Sequence, residues 1–399
     1  MIVVGAGPVG LSCALALRAH GIDVMVLEER SAGDPRPGSR AIYVHRASLA
    51  LLEQTRPGLG FALARQGIVW SCNRTLWRGR EVYARSFPAP AGDALPPFAS
   101  LPQTEIEREL LAACADAGVQ IVWNAQVQTI APTADAVQVG TADGECRAAE
   151  WVVGADGARS AVRRAIGVAM DSSRSENAYV IVDVDEDPSA PRPPARVFHY
   201  EHPAAGGRNV LLVPFRGGWR VDLQCRTDDD PADFDRGDGL RSWLAAVMGE
   251  HYAQRVAWVS TYRFLQVVAD AFSDPSARVL LAGEAAHLFA PFGARGMNSG
   301  IADAHAAAAA IHAAREGAGR ELARAAVDGF ARDRRAAAIA NRRAARQALV
   351  AIEGRRPWPR AKRRLAVTLA PRSGRAAAWL DAAPYGPRLR RSRRSGPGY

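Results

Sequence analysis

Three glycines near the start of the chain are spaced for phosphate chemistry. Ile2-Val3-Val4 runs into Gly5-Ala6-Gly7-Pro8-Val9-Gly10, a G-x-G-x-x-G pattern. An apolar, β-branched run precedes it, and Leu11, Leu15 and Ala19 follow at helical spacing. Gly5 permits a tight turn, Gly7 a close backbone approach to a pyrophosphate, and Gly10 close helix–strand packing. The helix N-terminus then offers its partial positive charge to the phosphates. Gly21 suits a helix C-cap. Val24-Met25-Val26-Leu27 reads as a second strand ending at Glu28, where a carboxylate can accept hydrogen bonds from a ribose. Strand, helix, strand and terminal acid in this register predict a βαβ dinucleotide site.

Two later segments repeat the theme of a strand ending in glycine and an acid. Trp151-Val152-Val153-Gly154-Ala155-Asp156-Gly157 leads into a helix start near Ala161. Arg278-Val279-Leu280-Leu281-Ala282-Gly283-Glu284-Ala285-Ala286-His287 leads through Pro291 to Gly296-Met297-Asn298 and a long helix expected from about Ser299. The three motifs in this order resemble those of the single-component FAD-dependent aromatic hydroxylases, the para-hydroxybenzoate hydroxylase and phenol hydroxylase-like family. The resemblance covers roughly residues 2 to 346.

That resemblance implies an FAD-dependent monooxygenase. It would use NADPH or NADH and dioxygen to hydroxylate an aromatic, phenolic or polyketide-like molecule through a flavin hydroperoxide. It implies FAD-diphosphate contacts at Gly5, Gly7 and Gly10 and a ribose contact at Glu28. A loop arginine touching FAD maps to Arg40 in Gly38-Ser39-Arg40, a flavin side-chain contact to Gln103, and an adenine clamp to Val127. The middle motif maps to Asp156 and the third to Gly283 and Glu284, where the family more often carries aspartate. Pro291 falls at the flavin face, and Gly296, Met297 and Asn298 at its pyrimidine edge, with His287 structural. Tyr200 and Arg220 are candidate substrate contacts, and no side chain is assigned as the catalytic base. Other FAD chemistry of the same fold, a Baeyer–Villiger-type oxygenation or a reduction, stays open.

The elements that must hold these residues give an α/β fold. Its Rossmann-like FAD-binding domain takes in residues 1–175 and 270–345. An inserted, mostly antiparallel substrate-domain sheet spans 176–269, with strands at Tyr179–Val184, Ala195–Tyr200, Asn209–Pro214 and Trp219–Gln224. A helical C-terminal segment covers 346–385, with Pro357 and Pro359 breaking the pattern and a last helix over Leu365–Trp379. A basic tail over 386–399 reads as disordered.

Composition bounds the alternatives. The 399 residues include 51 Lys+Arg and 41 Asp+Glu, for a net charge of +10. Nearly all the cations are arginine, many of them after Arg315. Nothing nucleic-acid-specific accompanies them, so a basic binding protein is the weaker reading. The only lysine is Lys362, too far along to serve a flavin halogenase, which relies on a lysine beside the flavin. Five scattered cysteines without CxxC or zinc spacing predict reduced thiols and no metal. No run reaches the ~20 apolar residues of a spanning helix. With no room for a signal peptide before Ile2, the expected location is cytoplasmic, although the natural start could lie a few residues upstream.

Overall fold

The computed structural model describes residues 1–34, 41–87, 94–171, 177–317, 319–354 and 357–386. Short buried strands build a five-stranded, wholly parallel sheet. Its order is Val279–Leu281, Val152–Gly154, Ile2–Val4, Met25–Leu27, Gln120–Val122. The near-continuous apolar character of these strands fits a sheet covered on both faces. Helix Pro8–Ala19 packs between Gln103–Asp116 and Arg295–Glu316. A small antiparallel sheet, Val127–Pro132, Val137–Thr141 and Cys146–Ala149, lies in the chain between the third and fourth parallel strands, Gln120–Val122 and Val152–Gly154.

A second sheet has seven strands. Its order is Val256–Tyr262, Tyr179–Asp185, Gly218–Gln224, Arg208–Phe215, Ala195–His202, Cys72–Trp77, Arg80–Ser86. All its pairings are antiparallel except Ala195–His202 with Cys72–Trp77. The four strands expected between 179 and 224 are present. Two further strands come from residues 72–86, so the sheet reaches outside the 176–269 stretch.

Period-two alternation gives this sheet two different faces. Val180, Val182, Val184, Trp219, Val221 and Leu223 pack under helix Gly237–Met248, on Leu240, Trp243 and Leu244. Arg220 and Asp222, alternating with them, face a cavity. Near one end of that other face, Tyr179, Phe198 and Tyr200 pack against Leu349, Ile352, Val367 and Leu380 of the C-terminal helices.

The late helices differ in detail from the sequence expectation. The long helix begins at Arg295, not Ser299, with Ala294 left-handed (φ 51°) at its N-cap. Pro357 opens helix Pro357–Leu369 instead of breaking one. In the first turn a missing N–H costs nothing and the fixed φ suits the helix. Residues 365–379 do not form one helix. The chain turns at 370–373, and Ser373 caps a new helix, Gly374–Ala382, by accepting from the Ala376 amide at 3.3 Å.

Candidate active site

A cavity of about 1680 Å³ lies between the parallel sheet, the seven-stranded sheet and residues 381–386 of the C-terminal helical segment. Ligand pockets usually measure about 300–1000 Å³, so this one has room for a large ligand and a second, smaller one.

One end is built from the glycine loop. Gly5 sits at φ +100°, and a Cβ there would come within 2.6 Å of the Ala155 carbonyl oxygen. A Cβ on Gly10 would lie 1.9 Å from the Gly5 carbonyl oxygen. Helix and loop therefore touch backbone to backbone, as only glycine allows. Gly10 itself is buried behind the loop, while Gly5 and Gly7 line the cavity. Glu28, 5% exposed, accepts from the Ala6 amide at 2.6 Å and the Arg30 amide at 3.2 Å. It thus fixes the loop and also faces the cavity.

Gln103, Val127 and Asp156 line the same cavity. Gln103 is the first residue of its helix and donates to Glu107 at 2.9 Å. Asp156 Oδ2 accepts from the Val162 amide at 3.0 Å, and its Oδ1 is buried without a partner. Arg40 lies outside the described residues.

The third motif splits into a scaffold and a cavity contact. Gly283 does not line the cavity. It is left-handed (φ +61°) and its amide donates to Asp303 at 3.1 Å. His287 Nε2 bonds the same Asp303 oxygen at 2.6 Å, and Arg334 donates to the other oxygen at 2.6 Å. His287 and Asp303 are buried, which gives His287 its structural place. Burial pushes the Asp303 carboxyl up, but the charges and hydrogen bonds of Arg334 and His287 outweigh it and hold it below the ordinary range. Glu284 projects into the cavity's solvent, yet it is surrounded by enough protein that burial raises its pKa, against the opposing pull of His287.

Pro291, Gly296, Met297 and Asn298 line the cavity where helix Arg295–Glu316 begins. No side chain caps that helix, so its first amides, which have no intrahelical partners, point outward with the dipole's positive end. The Asn298 side chain is fully occupied. Its Oδ1 accepts from the His45 amide at 2.9 Å and Ser48 Oγ at 2.7 Å. Its Nδ2 donates to the Tyr43 and Ala294 carbonyls at 2.8 and 2.7 Å. Only its backbone can meet a ligand.

The far end is aromatic. Tyr43 stacks on Phe98 at 4.4 Å, Trp70 tilts against Phe98 at 4.3 Å, and Phe87 completes the group. Arg220 stands opposite on the large sheet, held by Asp222 at 2.6 and 3.0 Å. Tyr200 is not part of this wall. It is fully buried, and its hydroxyl donates to the Leu380 carbonyl at 3.0 Å. Lys362 lies on the Trp379 ring at 4.7 Å and does not line the cavity. Sequence reading passed over the 42–98 segment, though Trp70, Trp77, Tyr83, Phe87 and Phe98 make its second half rich in aromatics. It also passed over Arg196, Asp381 and Tyr385, which the fold brings to the cavity from distant parts of the chain.

The residues fit a bound dinucleotide. The backbone cradle at Gly5 and Gly7, the uncapped helix start and the buried, unpartnered Asp156 oxygen are the features such a ligand would engage. Comparisons with known proteins agree. The model of the FAD binding domain family matches residues 1–345. The chain is similar to 6-methylpretetramide 4-monooxygenase of Streptomyces rimosus, 33% identical over 319 residues, 76% of this chain and 54% of that protein. It is similar to dialkyldecalin synthase of Streptomyces rugosporus, 29% identical over 315 residues, 76% of this chain and 63% of that protein. It thus spans little more than half the length of such relatives. Its fold matches the crystal structure of p-nitrophenol 4-monooxygenase from Pseudomonas putida. There the TM-score is 0.78 at 26% identity, over 97% of this chain and 98% of that one.

Proposed function

The chain belongs to the FAD binding domain family, and from that premise we propose that it is an FAD-dependent monooxygenase that consumes NADPH or NADH and dioxygen to hydroxylate an aromatic small molecule. One observation carries the reading. A single cavity runs from a pyrophosphate-type glycine loop, past an uncapped helix start, to an aromatic wall. A dinucleotide and an aromatic compound can lie in it side by side.

Residues 1–175 and 270–345 then form the cofactor-binding part, and the seven-stranded sheet over 176–269, extended by 72–86, forms the substrate side. The loop amides at Gly5 and Gly7 and the helix Pro8–Ala19 hold the diphosphate, with Gly10 permitting their close approach. Glu28 accepts from the adenosine ribose while fixing the loop. Gln103 and Val127 flank the cofactor's middle and adenine end. Asp156 and Glu284 offer carboxylate oxygens to the hydroxyl groups of the polyol chain. Glu284, in place of the family's usual aspartate, reaches one methylene further. Bound FAD would supply the redox chemistry and the activation of dioxygen. Pro291 and the amides of residues 296–298 border its ring, and the helix's positive end there favours negative charge on it. Tyr43, Trp70, Phe87 and Phe98 exclude water and orient the substrate ring. Five cysteines without disulfide partners support a cytoplasmic location.

The test is direct. Purified protein should carry flavin absorbance, and its NAD(P)H oxidation should rise when phenolic or polyketide-like compounds are added, with hydroxylated product exceeding hydrogen peroxide. Absence of flavin from protein refolded or reconstituted with FAD would end the reading. The dialkyldecalin synthase relative supports a second one, ring formation without net redox chemistry. It predicts substrate conversion with no NAD(P)H consumed.

A further inference from the structure

The charges on the substrate wall do not all pair. Arg85, Arg196 and Arg220 line the cavity with the carboxylates Asp222 and Asp381. Asp222 is engaged by Arg220 in a two-point pair. Asp381, 3% exposed, lies 3.4 Å from Arg85 Nη2. Asp183, buried beside Arg220, adds to that anionic side, and Arg196 is the cation without a carboxylate of its own. It is 4% exposed, and its Nη1 is buried without a hydrogen-bond partner. Among the described residues no carboxylate pairs with it. Its guanidinium instead lies on the Tyr385 ring at 4.2 Å, and the Phe198 ring at 5.8 Å.

An arginine does not shed its charge on burial, so this guanidinium holds a full positive charge at the edge of the cavity. The aromatic faces stabilise it only in part, and its N–H groups still need acceptors. The surroundings hold it in place. Tyr385 OH accepts from Asn73 Nδ2 at 3.3 Å, and the Tyr385 carbonyl accepts from Arg295 Nη2 at 3.0 Å. Asp381 and Tyr385 both come from the C-terminal helical segment, beyond the residues that match the family model. This corner of the cavity is therefore completed by a part of the chain that lies beyond the family model.

We infer that Arg196, seated on Tyr385, is an anion-recognition point, and that the aromatic substrate carries an ionised oxygen group, a carboxylate or an acidic phenol or enol, that pairs with it. The inference rests on the reading of this cavity as an aromatic substrate site. Asp381 lies beside Arg85, so Arg196 is the guanidinium on this wall that is left for a ligand anion.

The test compares two ligands of matched shape, hydroxynaphthoate and hydroxynaphthamide, binding to the FAD-loaded protein. Fluorescence of the tryptophans, including Trp70 on the cavity wall, follows binding without turnover. The native protein should prefer the carboxylate by roughly tenfold or more, the usual worth of a charge-assisted hydrogen bond. Arg196→Met should bring the ratio close to one, and Arg196→Lys should keep part of the preference. Both variants should melt within a few degrees of the native protein and retain flavin. Equal affinity in the native protein, no saturable binding of the carboxylate, or an unchanged preference in Arg196→Met would overturn the assignment. If the protein takes up no flavin on reconstitution and still shows the Arg196-dependent preference, the anion site stands and the monooxygenase reading is what fails.

Discussion

Individual residues divide sharply into scaffold and contact. Gly10 is scaffold: a methyl group there would sit 1.9 Å from the Gly5 carbonyl oxygen, and a helix pinned by a sheet cannot yield that far. Gly10→Ala should lose FAD during purification and lower the melting temperature; a variant that keeps full flavin occupancy would refute the cradle. Asp303 is scaffold too, although it belongs to none of the sequence motifs. It gathers the Gly283 amide, His287 and Arg334 behind the third motif. Asp303→Ala leaves Arg334 and His287 without their anion and should destabilise by about 3–5 kcal/mol. The pH dependence has a definite sign. A carboxyl held below its ordinary value of 3.8 contributes stability that is present above that value and lost as pH falls through the lower folded-state value. Acid denaturation curves of Asp303→Asn should therefore lack part of the native protein's steep acid limb.

Among the elements, those with strong local patterns were legible in sequence. The strands at 2–4, 25–27, 152–154 and 279–281 were readable because each ends in a glycine or acid whose chemistry punctuates it. The middle strands were readable because Pro, Gly and Asp separate them. Strands Cys72–Trp77 and Arg80–Ser86 were not, since their place is set by a parallel pairing with Ala195–His202 more than a hundred residues away. Tyr200 shows the same limit. Alternation says that one face of its strand is inward, but not whether cavity or helix lies there. The helices beyond 346 decide that, and Tyr200→Phe should cost about 1 kcal/mol of stability through the lost bond to Leu380 while leaving turnover intact. At the end of the longest helix, burial raises Glu353 to about 7. A raised carboxyl favours the folded state at low pH and loses that advantage as pH rises from 4.5 through about 7. Melting temperature should fall across that window, and Glu353→Gln should flatten the fall.

For the molecule as a whole, the arrangement explains why one end of the cavity could be read and the other could not. The cofactor end is made of contiguous motifs whose spacing is imposed by phosphate geometry. The substrate end draws Tyr43, Trp70, Arg196, Arg220 and Tyr385 from five separate stretches, and no local pattern links them. The excess of +10 is carried largely by arginines on the late helices. No described helix is long and apolar enough to cross a membrane. One experiment bears most directly on the central claim: incubate the flavin-loaded protein with NADPH or NADH, isotopically heavy dioxygen and a phenolic or polyketide-like panel. The account predicts that at least one compound accelerates NAD(P)H oxidation and emerges with one heavy oxygen atom on its ring. Conversion with neither NAD(P)H consumed nor heavy oxygen incorporated would contradict it.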